Sequence, residues 1–286
     1  MRVAGERTMI VDGILFGEGP RWHAGHFYFS DIGGKRVHRL SAKGELETVV
    51  EVPEQPSGLG WRPDGTLLIV SMHDHKLLAF DGHELSEVAD VSEWCGGPLN
   101  DMVVDSEGRA YIGNIGFDME AQPLKVKSTH VVRVDPDGSA RSVADDLIAP
   151  NGMVITPDGG TLIVGESGRA CLTAFDLSPS GDLSRRRNFA TLPGGAVPDG
   201  ICLDAEGAIW SASPTTNEFI RVREGGDVLD QISTEDRPAI ACMLGGDDRR
   251  TLYLITAPTA SIASSTPLAE GRIESIRVDV PGAGRP

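Results

Sequence analysis

The sequence predicts an all-β fold, a six-bladed β-propeller folded as a single domain over residues 1–286. Two observations carry this reading. A strand–turn–strand unit recurs six times, and helix-forming runs are scarce while 35 Gly and 18 Pro are spread along the whole chain. Such a composition favours many short strands joined by tight turns. A repeat period of about 40–50 residues is the period of propeller blades and argues against a β-sandwich.

The unit is clearest in residues 151–167, where an apolar run (Met153–Ile155) meets a Pro-Asp-Gly turn and a second apolar run follows (Leu162–Val164). Residues 57–71, 100–114 and 199–213 repeat it, residues 18–30 are a shorter copy, and residues 240–257 are a looser one. The turn residues Gly25, Gly65, Gly108, Gly159, Gly207 and, loosely, Asp248 are separated by 40, 43, 51, 48 and 41 residues. Gly at five of them supplies the positive φ of a tight hairpin. A ring of blades must also be closed, because an open one leaves a bare sheet edge. Thr8–Val11 and Arg272–Val280 are both strand-like, so N- and C-terminal strands are expected in one blade, with residues 281–286 and the first few residues as tails. Trp22, Trp61 and Trp210 fall at strand positions where packing between blades accounts for them.

The formal charge of −16 argues against polyanionic partners such as nucleic acid or an anionic membrane surface. Neither an apolar leader nor a run long enough to span a bilayer is present, so a cytoplasmic location is expected. Cys95, Cys171, Cys202 and Cys242 are far apart and read as free thiols. Gly165-Glu-Ser-Gly-Arg lacks the spacing of a nucleophile elbow, His73-Asp74-His75 reads as an exposed loop, and the sequence carries no signal of oligomeric state.

Eight residues before the turn Gly stand Ser57, Asn100, Asn151 and Asp199; seven before it, in the shorter first copy, stands Glu18. The last copy has apolar Ile240 there. This position opens the innermost strand of each blade, so rotation about the axis brings the five oxygen-bearing side chains to one end of the channel. Two carboxylates with amide and hydroxyl oxygens suit a hard cation, and without one Glu18 and Asp199 would repel each other. A polar residue that serves only its local backbone explains any one copy; five coincident copies favour a site.

The segments Glu18-Gly-Pro-Arg-Trp, Asn100-Asp101, Asn151-Gly-Met and Val197-Pro-Asp-Gly-Ile-Cys-Leu-Asp-Ala-Glu-Gly carry a resemblance to the regucalcin, senescence-marker-protein and gluconolactonase family, over nearly the whole chain. The resemblance implies a six-bladed propeller in which one divalent cation is held by Glu18, Asn151 and Asp199. Ca²⁺ is the first expectation, and Mg²⁺, Mn²⁺, Zn²⁺ or Fe²⁺ also serve in the family. It implies hydrolysis of a small lactone to a hydroxy acid, with Asn100 beside the metal and Asp199 as base. A carboxylate bound to a cation is a poor base, so either Asp199 keeps a loosely held oxygen or the cation acidifies the water and Asp199 orients it.

Two departures bear on the substrate. Pro98 stands where sugar-lactone members commonly carry an Arg, and the segment 115–130 offers Phe117, Met119 and Leu124 as an apolar lid. With Ser57, Asn100 and Asp101, Phe117 and Met119 complete the set expected to face substrate, a lactone less polar than a sugar lactone. A non-catalytic divalent-metal or ligand-binding propeller, and a propeller recruited to a lyase, cyclase or isomerase reaction, are the alternatives, since fold alone does not separate them.

Overall fold

The computed structural model describes residues 6–41, 44–119 and 121–285, in which six four-stranded antiparallel sheets surround one axis. Blade 1 comprises Gly17–His23, His26–Asp31, Arg36–Leu40 and Leu46–Glu51; blade 2, Pro56–Trp61, Leu67–Ser71, Lys76–Phe80 and Leu85–Asp90. Blade 3 comprises Leu99–Val104, Ala110–Asn114, Thr129–Val134 and Ala140–Leu147; blade 4, Pro150–Ile155, Thr161–Glu166, Cys171–Leu177 and Leu183–Thr191. Blade 5 comprises Ile201–Leu203, Ile209–Ser213, Glu218–Val222 and Val228–Ser233. Blade 6 is built from both ends of the chain: Ala239–Gly245, Thr251–Thr256 and Gly271–Arg277 are followed outward by Thr8–Ile14. The N-terminal strand pairs Thr8 with Ser275 and Ile14 with Gly271, closing the ring as expected.

Burial sorts the strands by radius. The first strands of blades 3 and 4 are buried at every residue, Leu99–Val104 and Pro150–Ile155, whereas the outer strand Leu46–Glu51 is exposed or half-buried throughout. Strands buried on both faces lose the alternation of a half-exposed sheet and read as apolar runs. Neighbouring inner strands pack against one another around the whole ring, blade 6 on blade 1 included. The core is correspondingly divided into layers between blades: Tyr111, Met153, Ile155 and Leu162 form one of them, Phe29, Trp210, Phe219 and Cys242 part of another. Trp22 lies against Tyr253 of blade 6 with ring centres 6.0 Å apart, and Trp61 of blade 2 stacks on His23 of blade 1 at 4.1 Å. The tryptophans thus hold blades together.

The turn glycines Gly25, Gly65, Gly108, Gly159 and Gly207 all adopt positive φ, between 71° and 90°. The sixth turn differs from expectation. There Gly246 (φ 82°) and Arg249 (φ 57°) take the left-handed positions, and Asp248 instead accepts a hydrogen bond from the Arg250 N–H at 3.1 Å. The C-terminal segment is also more than a tail. Residues 281–285 cross the far ends of the inner strands: Gly282 donates to the Arg249 carbonyl, Ala283 to that of Leu203, and Arg285 exchanges two hydrogen bonds with Ile155 at 2.8 and 3.0 Å. This strap ties blades 6, 5 and 4 together at the end of the channel opposite the polar ring. Its composition, rich in Pro and Gly, conceals a role that depends only on backbone groups.

One buried charge spans three blades. Arg21, on the inner strand of blade 1, is 2% exposed. It donates to the Leu59 carbonyl of blade 2 at 2.8 Å and to Asp101 Oδ1 and the Met102 carbonyl of blade 3 at 2.6 and 2.5 Å. The Asp101 side chain is 3% exposed and also accepts the Met102 N–H at 2.8 Å. A guanidinium cannot shed its proton to escape burial, so the pair is held by mutual compensation. Removing one partner of such a pair is far costlier than removing both. Asp101→Ala is therefore expected to lower the unfolding free energy by about 3–5 kcal/mol, read from urea denaturation. A change below about 1 kcal/mol would show that water reaches Arg21.

Candidate metal centre

Five of the six inner strands are bent at the same place, while Ile201–Leu203 of blade 5 pairs in unbroken register. The pairing with the second strand shifts register between Glu18 and Arg21, Pro56 and Leu59, Leu99 and Met102, Pro150 and Met153, and Ala239 and Ala241. A bulge re-aims the side chain beside it, and the residues of the polar ring, Glu18, Ser57, Asn100 and Asn151, all lie inside these irregular segments. The following residue is Gly in blades 1, 2, 4 and 5, and the reason is contact between blades. A Cβ on Gly152 would lie 2.5 Å from the Ile201 nitrogen and 2.7 Å from the Asp199 carbonyl oxygen, and one on Gly19 would lie 2.5 Å from the Ser57 carbonyl oxygen. Close approach of adjacent backbones is what the Asn-Gly and Asp-Gly pairs encode here. Blade 3 carries Asp101 at this place, and its carboxylate is taken by Arg21.

Glu18, Ser57, Asn100 and Asn151 are 4%, 0%, 7% and 8% exposed; Asp199 is the partly exposed member of the set. Asp199 precedes the first strand of blade 5 and is held from three sides. Its N–H donates to the Ala212 carbonyl at 3.0 Å and its carbonyl accepts from Gly152 at 3.2 Å. The Ser213 hydroxyl accepts the Val197 N–H at 3.1 Å, and the Ser167 hydroxyl donates to the Pro198 carbonyl at 2.7 Å.

Three of the expected residues meet. Asn151 Nδ2 donates to Asp199 Oδ1 at 2.6 Å, and Glu18 and Asp199 share a hydrogen bond. Burial raises the Glu18 carboxyl well above the usual range, reinforced by the charges of Asp199 and Asp101. Burial likewise lifts Asp199 to about 7, against the pull of its hydrogen bonds from Asn151 and Glu18. In the metal-free protein the two carboxyls therefore share a proton, the recourse of like charges held together without a cation.

Two donor atoms have no such recourse. Asn151 Oδ1 and Ser57 Oγ are buried without a hydrogen-bond partner, and a buried polar atom left alone calls for a missing neighbour. Among the described residues no group of three or more His, Cys, Asp and Glu side chains could hold a metal. The donor set here is instead two carboxylates completed by an amide oxygen, which fits a hard divalent cation. Charge agrees: Glu18, Asp199 and Asp101 when ionised, set against Arg21, leave two negative charges in the buried cluster.

Other expected site residues are placed differently. Asp101 is spent on Arg21 and does not face a substrate. Phe117 is 9% exposed and packs with Ile115, Ala149 and Ile148, so it belongs to a small core between blades 3 and 4. Met119 and Leu124 are 63% and 53% exposed and form no apolar lining; residue 120 of that segment lies outside the described residues. Asn100 stays in the ring, its Nδ2 reaching the Pro150 carbonyl at 3.4 Å. Pro98 presents no side-chain donor, and its carbonyl accepts the Ile115 N–H at 2.9 Å. Sequence reasoning missed Arg21, Ser167 and Ser213. A signal for the serines was present, since the repeat copies at 57–71, 100–114, 151–167 and 199–213 end on Ser71, Asn114, Ser167 and Ser213.

Known proteins share both the fold and the sequence. The chain is 29% identical over 283 residues to 6-deoxy-6-sulfogluconolactonase of Pseudomonas putida, covering 95% of this chain and 94% of that protein. It is 28% identical over 293 residues to a pentonolactonase of Haloferax volcanii, covering 98% and 96%. The crystal structure of a calcium-binding protein, regucalcin from Agrobacterium tumefaciens, superposes with a TM-score of 0.81 at 21% identity over 99% of this chain and 97% of that one. Residues 16–258, which contain every residue of the polar ring, match the model of the SMP-30/Gluconolactonase/LRE-like region, and the chain belongs to that family.

Proposed function

We propose that the protein is a lactonase that opens a small cyclic ester to a hydroxy acid with one divalent cation held by Glu18, Asn151 and Asp199. The observation that carries the reading is the buried carboxylate pair beside the unpartnered Asn151 Oδ1. The names of the relatives, which act on gluconolactone- and pentonolactone-type substrates, supply the reaction class. Ca²⁺ is favoured by the oxygen-only donor set and by the calcium-binding regucalcin among the structural relatives. Mg²⁺, Mn²⁺, Zn²⁺ and Fe²⁺ are the competitors.

A bound cation supplies Lewis acidity at the lactone carbonyl and favours the charge that develops there. The protein supplies the rest. Asp199, partly exposed and held by the Gly152, Ala212 and Asn151 contacts, receives a proton from the attacking water. The bond from the acyl carbon to the ring oxygen breaks as the bond to the water oxygen forms, and the proton passes from Asp199 to the departing oxygen. The product is one molecule carrying a hydroxyl and a carboxylic acid, which releases the second proton of the water to solvent as it becomes a carboxylate. Asn100 and Ser57, from neighbouring blades, orient the substrate within the ring. The substrate is less hydroxylated than an aldonolactone, because Pro98 replaces the guanidinium that the family resemblance implies at that place.

A pH-indicator assay on the metal-stripped protein, with each cation restored singly, tests both levels. Lactone hydrolysis should require the cation, and Asp199→Ala should lower kcat/KM by about a thousandfold. Activity that survives chelation and Asp199→Ala would overturn the lactonase mechanism. Within the panel, alkyl γ- and δ-lactones should exceed aldonolactones in kcat/KM. The reverse order would overturn the inference from Pro98 and leave hydrolysis standing.

Stability carries a second test. An unfolded Asp releases its proton near pH 4, whereas folded, metal-free Asp199 retains it to about 7. The folded state therefore binds more protons across that window, and metal-free stability falls as pH rises through it. A cation replaces the proton, so the gain in Tm on adding Ca²⁺ should be largest above about pH 7. A chelated protein whose Tm is flat from about pH 4 to about pH 8 would contradict the buried pair.

A further inference from the structure

We infer that Ser167 is a positioning residue that selects which end of the Asn151 amide faces the metal centre. The inference rests on the metal reading above and goes beyond it to a residue outside the ligand set.

An asparagine side chain presents either a carbonyl oxygen or an amino group in a given direction, and only the oxygen can ligate a hard cation. The two orientations have almost the same shape, so neighbours must decide between them. Here Asn151 Nδ2 has two acceptors, Asp199 Oδ1 at 2.6 Å and Ser167 Oγ at 3.3 Å, while Oδ1 is buried with none. The Ser167 hydroxyl could in principle serve either orientation, as donor or as acceptor. It does not have that freedom, because its proton is committed to the Pro198 carbonyl at 2.7 Å. What remains toward Asn151 is a lone pair, which accepts from Nδ2 and disfavours Oδ1.

Asp199 enforces the same orientation, but on the reading above Asp199 is also a ligand and the base, so its hold on Asn151 is shared with those roles. Ser167 has no second claim on it. It is also well anchored. Its N–H donates to the Ala149 carbonyl at 3.1 Å, on the loop that leads into Asn151. The preceding Glu166, fully buried, accepts from the Ile148 N–H at 3.0 Å and from Arg169 and Arg186 at 2.8 and 2.7 Å. The hydroxyl therefore sits on a fixed frame and joins Asn151 of blade 4 to the turn that delivers Asp199 in blade 5.

The test is a double-mutant cycle on Ca²⁺ affinity by calorimetry, with metal-free Tm measured alongside. Ser167→Ala should weaken Ca²⁺ binding about tenfold or more, and Ser167→Thr, which keeps the hydroxyl, should restore most of it. In an Asn151→Asp background the two ends of the side chain are equivalent oxygens, so Ser167→Ala should cost little there. Equal losses of affinity in the two backgrounds would show that Ser167 only supports the loop and would overturn the inference. A second arm needs no cation. In the ¹⁵N–¹H spectrum of the metal-free protein, both Asn151 amide protons should exchange slowly, and one should become fast in Ser167→Ala. Unchanged exchange would equally overturn the role. A wild-type protein that binds none of the divalent cations would refute the metal reading instead, with the exchange arm still deciding the orientation.

Discussion

Two carboxyl groups, Glu18 and Asp199, are held within hydrogen-bonding reach of each other at one end of a closed ring, and the rest of the site follows from that contact. Like charges so placed and so little hydrated are unfavourable, and a flexible loop would simply part them. Here they cannot part. Glu18 belongs to the inner strand of blade 1 and Asp199 to the approach to blade 5, and every inner strand is wedged between two others. The fold imposes the repulsion, and either a proton or a cation must relieve it. On the proposed metal reading, a proton relieves it when no cation is bound and the carboxyls ionise when one is.

The same closure explains why the supporting groups are polar and buried at once. Arg21 bridges three blades without contributing a ligand, and its guanidinium balances one of the three carboxylates in the cluster. Two negative charges then remain for the occupant to neutralise, a count that suits a divalent ion better than a monovalent one. The C-terminal strap acts at the opposite end. Its backbone bonds to Arg249, Leu203 and Ile155 join at this end three blades whose other backbone bonds, Gly152 to Asp199 and Gly200 to Ile240, lie at the polar end. Rigidity at both ends of the channel lets a few short side chains hold a fixed geometry.

Much of the fold was legible because a propeller writes its plan six times. The turn glycines, the closing blade and the ring positions Glu18, Asn151 and Asp199 all follow from counting within the repeat. The errors arose where an element departs from the repeat or where meaning depends on a partner far along the chain. Phe117 looks like a lid residue because it lies in an insertion, yet it packs on Ala149, which local reading does not place beside it. Asp101 looks like a site residue because it follows Asn100, yet Arg21, eighty residues away, claims its carboxylate. The strap escaped notice because its contacts use backbone groups, which leave no pattern in side-chain chemistry.

Asp101 also shows how the repeat was modified without being lost. In blades 1, 2, 4 and 5 the residue after the ring position is Gly, forced by the neighbouring backbone. Blade 3 instead carries a side chain at this place, next to the Asn100 amide that reaches the Pro150 carbonyl at 3.4 Å. A side chain can be accommodated there, and the one present accepts a charge from blade 1 across blade 2. The site thus gains a second level of order beneath the polar ring: residues of blades 1 to 4 aimed by irregular strand segments above, and an ion pair joining three blades below. On the proposed metal reading, exchanging ring residues alone would alter which cation binds, whereas disturbing the level beneath would alter whether the ring residues meet at all.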